Sequence, residues 1–273
     1  MDFRLVRAEY DRETERAYVE LRAPDGDGGE AITTAIFSFR TTGALSKRQI
    51  EEDIVRKAPP SPAAGGSSHL ILARPMTALD FWYEFGSTYS YPAAMRIERL
   101  AEAAHVEVRW RPFLLGPIFK AYGWNDSPFN IYSAKGRYMW RDLQRICEAE
   151  GLPLKLPPVQ FPQNGLKAAR LALVGERQGW TPAFSRAVFV ANYAEQKDIS
   201  DKETLGAILR GLGVDAEAAL VAANAAETKE ALKTQTAEAG SRGLFGAPSF
   251  TIGDELFWGN DRLEAALAWA TRS

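Results

Sequence analysis

Residues 79–92 read Leu79-Asp80-Phe81-Trp82-Tyr83-Glu84-Phe85-Gly86-Ser87-Thr88-Tyr89-Ser90-Tyr91-Pro92, an aromatic run that stops at a glycine and resumes as a helix. Phe81, Tyr83 and Phe85 alternate with Asp80, Trp82 and Glu84 at the two-residue period of a strand. Beyond it Ala93, Ile97, Leu100, Ala101 and Ala104 recur at helical spacing, with Arg96, Glu98, Arg99 and Glu102 largely on the other side. Pro92 suits only the first helical turn, where its missing N–H is not needed. Ser87 and Ser90 are therefore expected at a helix N-terminus, under free amide donors and the positive end of the helix dipole. That setting suits a thiolate or a carboxylate.

Working outward, Val106, Val108 and Trp110 alternate with Glu107, Arg109 and Arg111 up to Pro112, which completes a strand-helix-strand unit of the right-handed βαβ kind. Helical patterns follow over 135–150, ending at Gly151, then 166–178, 182–196, a helix opened by Ser200 with Glu203 three places on, and more helix to about Ser241. Sheet chemistry returns at Gly246-Ala247-Pro248-Ser249-Phe250-Thr251-Ile252-Gly253, with 254–258 as a hairpin partner and 261–270 as a closing helix. The fold class expected is α/β: a thioredoxin-like domain (78–112 and 243–273) carrying a large all-helical insertion (113–242). A small α+β domain (1–57) precedes it, built from strand-like runs at 3–10, 16–22 and 31–39 and a helix over 46–57. It offers no catalytic constellation and reads as a packing or subunit-contact module. Residues 58–77 form the linker, rich in Pro, Gly and Ser over 58–68, with His69 just past that stretch as an exposed residue.

Composition narrows the function. The chain has 273 residues, 46% of them hydrophobic, with 33 basic against 35 acidic residues and a formal charge of -2. No broad attraction to nucleic acid or an anionic membrane follows. No apolar run approaches a membrane span and the start lacks a signal-peptide stretch, so a cytoplasmic protein is expected. The single cysteine, Cys147, excludes an intramolecular disulfide and a two-cysteine redox cycle, and its neighbours Leu143 and Ile146 mark it as core. Two histidines and one cysteine make poor zinc ligands, so no metal is expected.

Thioredoxin-like folds bring the start of the first helix close to a cis-proline loop, and 246–250 has the composition of that loop. An ordinary trans proline at a strand edge is the other reading. Where redox members carry Cys-x-x-Cys, this chain has Ser87-Thr88-Tyr89-Ser90. A hydroxyl there can donate to a bound sulfur; a hydrogen bond to a charged group, roughly 1.5–3 kcal/mol, lowers a thiol pKa by about one to two units. Ser87 as a simple N-cap is the alternative.

The motifs at 80–91, Arg111–Lys120, Ala134–Leu143, Gly246–Phe250 and Glu255–Leu263 together resemble the 2-hydroxychromene-2-carboxylate isomerase and kappa-class glutathione transferase family, in the DsbA-like branch of the thioredoxin superfamily. The resemblance runs from about residue 78 to the C-terminus. It implies glutathione as cofactor and Ser87 as the catalytic residue that contacts its sulfur. It also implies that Ala247, before a cis Pro248, pairs through its backbone with the cysteinyl unit, and that Asn260 and Asp261 hold the γ-glutamyl end. Asp261 with Glu264 is also a capping box. Lys135 matches a family lysine near the carboxylates, though an exposed helix-start lysine has the same appearance. Asn125 resembles a family asparagine, while the surrounding Gly123-Trp124-Asn125-Asp126-Ser127-Pro128 departs from the family pattern Gly-Asn-x-Pro-Pro.

The implied activity is glutathione-dependent isomerisation of an aromatic carboxylate in aromatic degradation, by reversible thiolate addition, in a homodimer. Trp124, Phe129, Tyr132 and Tyr89 are candidates for an aromatic lining, and Lys135, Arg137 or Arg141 for binding the substrate's carboxylate. A kappa-like transferase that conjugates electrophiles, or a non-catalytic peptide-binding module, are the alternatives.

Overall fold

A computed structural model describes the backbone of residues 4–11, 16–24 and 30–38, and residues 77–158 and 160–272 in full. The chain divides into two compact units, Met1–Pro75 and Met76–Ser273. In the first unit, β1 (Arg4–Asp11), β2 (Arg16–Pro24) and β3 (Glu30–Ser38) form an antiparallel sheet in chain order. The helix expected over 46–57, the linker and His69 lie outside the described residues.

The second unit is built on a four-stranded sheet of order β5-β4-β6-β7, comprising β4 (Ala78–Tyr83), β5 (Glu107–Pro112), β6 (Ser249–Ile252) and β7 (Glu255–Trp258). β4 runs parallel to β5, with α1 (Ser90–Ala103) as the crossover, and antiparallel to β6. The alternation read in the sequence sorts the aromatic side chains onto two faces. Phe81 and Tyr83 enter the main core, where Phe81 stacks on Phe250 at 5.5 Å between centroids and meets Trp110 edge-on at 5.0 Å. Trp82 enters a second cluster with Phe113, Ile118 and Leu244, and its Nε1 donates to Thr251 Oγ1 at 2.9 Å. Apolar packing on both faces explains why β4 is apolar at nearly every position. Each fully buried aromatic side chain contributes roughly 1.5–3 kcal/mol, which makes this strand the anchor of everything attached to its end.

Between β5 and β6 the insertion is helical: α2 (Leu115–Ala121), α3 (Pro128–Ile131), α4 (Ser133–Glu150), α5 (Leu166–Glu176), α6 (Thr181–Tyr193), α7 (Lys202–Gly211), α8 (Ala216–Asn224) and α9 (Ala226–Ser241). α4 ends at Gly151 with φ 66, as its sequence suggested. The cap of α7 is Asp201 rather than Ser200: the Asp201 carboxylate accepts from Thr204 N at 2.8 Å, which a side chain one residue earlier does not reach. A 3-10 turn (Asn260–Arg262) leads into α10 (Leu263–Ala270). Leu263, Ala266, Leu267 and Ala270 are buried as the spacing indicated. Cys147 is buried in the core, and burial pushes its thiol up to about 11.

Arg96 departs from the sequence reading. Helical spacing puts it opposite the apolar stripe, yet it is buried between α4 and the start of α10. Its guanidinium reaches Glu150 Oε1 at 3.2 Å, Glu264 Oε1 at 2.6 Å, and both Asn260 Oδ1 at 3.0 Å and Asn260 O at 3.3 Å. Acceptors from two distant segments, the end of α4 and the start of α10 with the turn before it, give the buried charge its partners, which a helical period cannot register.

Candidate active site

β4 leaves the sheet after Tyr83, and the chain turns through Glu84, Phe85 and Gly86 before α1. α6 clamps this turn from below: Asn192 Nδ2 donates to Phe85 O at 3.0 Å and Tyr193 Oη to Gly86 O at 2.8 Å. Gly86 is required by space, since a Cβ there would lie 2.7 Å from Gln163 O. The turn is thereby held between two neighbours and delivers Ser87 to the wall of a cavity of about 800 Å³.

Ser87 Oγ donates to Ala247 O at 2.8 Å and accepts from Ser90 N at 3.3 Å. The first helix and the proline loop, 160 residues apart, thus meet at one hydroxyl. The Ala247–Pro248 peptide bond is cis. Ser87 does not hold the N-cap position of α1: the helix begins at Ser90, Tyr89 holds that position without a capping bond from its own side chain, and Ser87 Oγ takes the N–H of the first helical residue from two positions further back. Ser90 is fully buried, with no hydrogen-bond partner for its hydroxyl among the described residues, and only Ser87 of the two lines the cavity.

The same cavity is lined by Asn125, Lys135, Ala247, Asn260 and Asp261. Asn260 is buried, and Arg96 takes its amide oxygen, which turns the amide nitrogen to the opposite side. Asp261 is exposed at the cavity rim, 3.5 Å from Arg262. The capping box expected from Asp261 and Glu264 does not form; the 3-10 turn intervenes and Glu264 is drawn to Arg96. Lys135 Nζ lies 5.7 Å from the ring centre of Phe129.

Of the expected aromatic lining, Tyr89, Phe129 and Trp124 are present, whereas Tyr132 points to solvent, 56% exposed. Arg137 and Arg141 also lie outside the lining and Lys135 alone of the three cations is in it, because α4 presents only one edge to the cavity. Residues not singled out from the sequence also contribute. Phe245 and Trp258 pair at 4.9 Å on the proline-loop side, and Asp142 accepts from Tyr89 Oη at 2.9 Å. Burial, followed by the Asp142 carboxylate, raises the Tyr89 phenol. Glu84, the one acidic side chain in the aromatic turn, is pushed up to about 7 by burial, against the lowering effect of the Gly86 N–H that donates to Oε2 at 3.0 Å.

A hydroxyl, an amide, a lysine and a carboxylate spread along an apolar cavity suit a flexible ligand with both charges and a sulfur. Comparisons with known proteins give the family. Residues 78–268 match the model of the DSBA-like thioredoxin domain. A 2-hydroxychromene-2-carboxylate isomerase of Pseudomonas putida is 33% identical over 189 residues, spanning 68% of this chain and 90% of the relative. The chain belongs to that isomerase family. A solved 2-hydroxychromene-2-carboxylate isomerase superposes with a TM-score of 0.64 at 29% identity, covering 71% of this chain and 95% of the other. A kappa 2 glutathione transferase of Caenorhabditis elegans is 26% identical to this chain over 196 residues, spanning 67% of this chain and 87% of the relative. By membership the chain is an enzyme of the isomerase type.

Proposed function

We propose that this chain is a glutathione-dependent isomerase acting on an aromatic carboxylate of the chromene type. The contact between Ser87 Oγ and Ala247 O at 2.8 Å carries the reading, because it puts the hydroxyl at the one place where the helix start and the edge of the cis-proline loop converge on the cavity. The residues fit glutathione: Ser87 stands where a sulfur would lie, and the Ala247 backbone offers an edge to an extended peptide. Asn260 and Asp261 offer an amide and a carboxylate to the charged γ-glutamyl end, and Lys135 and Asn125 offer donors to carboxylates elsewhere on the lining.

When bound, glutathione supplies a thiolate able to add reversibly to a conjugated carbon. Ser87 has one proton to give. Rotating it from Ala247 O toward the sulfur stabilises the anion, and the electrostatic benefit is large because the turn beneath it is fixed by Asn192 and Tyr193. Tyr89, Phe129, Trp124 and Trp258 provide flat apolar walls for an aromatic body, and Lys135 a partner for its carboxylate. The relationship to a kappa transferase supports a second reading, conjugation of electrophiles at the same sulfur site.

Ser87→Ala tests the proposal. Turnover of a chromene carboxylate in the presence of glutathione is expected to fall about 100-fold, the scale of losing one preorganised donor, with the melting temperature near wild type. Equal activity would refute the role. Product analysis separates the two readings, since an isomerase returns its glutathione and a transferase consumes it.

A further inference from the structure

Glu84 is the titratable group that the foregoing chemistry leaves unused. It lies three residues before Ser87, lines the same cavity, and forms no ion pair among the described residues. Its carboxyl is framed by two glycines. A Cβ on Gly86 would come 3.1 Å from Oε2, and one on Gly165 would come 3.1 Å from Oε1. One oxygen is held by the Gly86 N–H at 3.0 Å. The other faces Gly165 on the loop that closes this side of the cavity.

We propose that Glu84 is the proton acceptor for the thiol of bound glutathione, a catalytic role that rests on the function proposed above. The S–H bond breaks, an O–H bond forms on the Glu84 carboxylate, and the electron pair stays on sulfur. Nothing is oxidised or reduced. The pair keeps one proton and one negative charge inside the cavity, and the proton remains available for return when the sulfur is released.

The electrostatic surroundings support this exchange. The loop before α5 presents Pro162, Gln163, Asn164 and Gly165 to the cavity, none of which titrates. From α6 the neighbour is Tyr193, which donates its hydroxyl proton to Gly86 O and whose phenol is raised by burial and by the Glu84 charge. The charged residues elsewhere on the lining are Asp126, Lys135, Asp142 and Asp261. Burial places the carboxyl near neutrality, at about 7, close to where a thiol assisted by a serine hydroxyl ionises. Two groups of matched affinity exchange a proton at little cost and titrate as a pair.

The test is a proton count. Glutathione binding to the full chain is measured by calorimetry at about pH 8 in buffers of different ionisation enthalpy, with thiolate formation followed by ultraviolet difference absorbance. S-methylglutathione, which has no thiol proton, supplies the baseline. Wild type is expected to form the thiolate while releasing almost no proton, whereas Glu84→Gln, which keeps an acceptor for the Gly86 N–H, is expected to release about one per thiolate formed. A protonated-carboxyl infrared band that grows on binding to wild type checks the same transfer without a variant. Glutathione binding with equal proton release in both proteins, and no such band, overturns the assignment of Glu84 alone. Failure of wild type to bind glutathione overturns the functional proposal and this one with it.

Discussion

Replacing Arg96 with methionine keeps most of the aliphatic stem and removes the guanidinium that ties three segments together. The ion pairs to Glu150 and Glu264 involve carboxylate side chains 32% and 55% exposed, so water screens them and each is worth at most about 1 kcal/mol. The bonds to Asn260 are different, because both Arg96 and Asn260 are buried and the acceptors are left without a partner. A hydrogen bond from a charged donor contributes roughly 1.5–3 kcal/mol, and relief of the buried guanidinium's desolvation returns part of it. The net expectation is a loss of about 2 kcal/mol, or roughly 4–8 °C in melting temperature for a unit of this size.

Asn260 also loses the contact that fixes its amide, so glutathione affinity should fall about fivefold to tenfold, the worth of about one hydrogen bond. Urea unfolding and calorimetric titration of Arg96→Met measure both effects. Adding Asn260→Ala to Arg96→Met should weaken binding little further, since the two residues act as one unit. A melting temperature within about 1 °C of wild type, or full additivity of the two substitutions, would refute the idea that Arg96 organises the glutamyl end of the cavity.

Two other outcomes follow from the same turn. Gly86→Ala would put a methyl group 2.7 Å from Gln163 O and 3.2 Å from Pro162 Cβ; a destabilisation of about 1–3 kcal/mol is expected in urea melts, together with loss of turnover as Ser87 shifts. Glu84 should also set a pH dependence of stability. Its folded-state affinity for a proton, at about 7, lies above the unfolded value, so the stabilising proton is fully held below the unfolded carboxylate range and lost as pH rises through about 7. Up to about 3 kcal/mol is expected to disappear between about pH 5 and about pH 8 in wild type and to persist in Glu84→Gln, as read from denaturant midpoints across pH. Identical slopes in the two proteins would contradict the burial argument.

Wherever a local pattern was the physical cause, the sequence sufficed. Strand alternation over 79–83, the change to helical spacing after Ser90, and Gly151 at a helix end are consequences of backbone geometry, which acts over a few residues and leaves its period in the chain; the strand stops at Tyr83, two residues before its aromatic pattern does. Ser87 could be located from the glycine before it and the proline after it, and Pro248 from its position ahead of a short strand. The structure alone decided that Arg96 is buried, because its acceptors lie 54 and 168 residues away and burial of a charge depends on all of them arriving together. For the same reason it alone decided that Lys135 reaches the cavity while Arg137 and Arg141 do not, that Tyr132 faces water, and that Glu84 shares an enclosed wall with Gly165. Local periods are written by the backbone, but the dielectric around a charged group is set by every segment that packs against it, and that is a property of the folded chain.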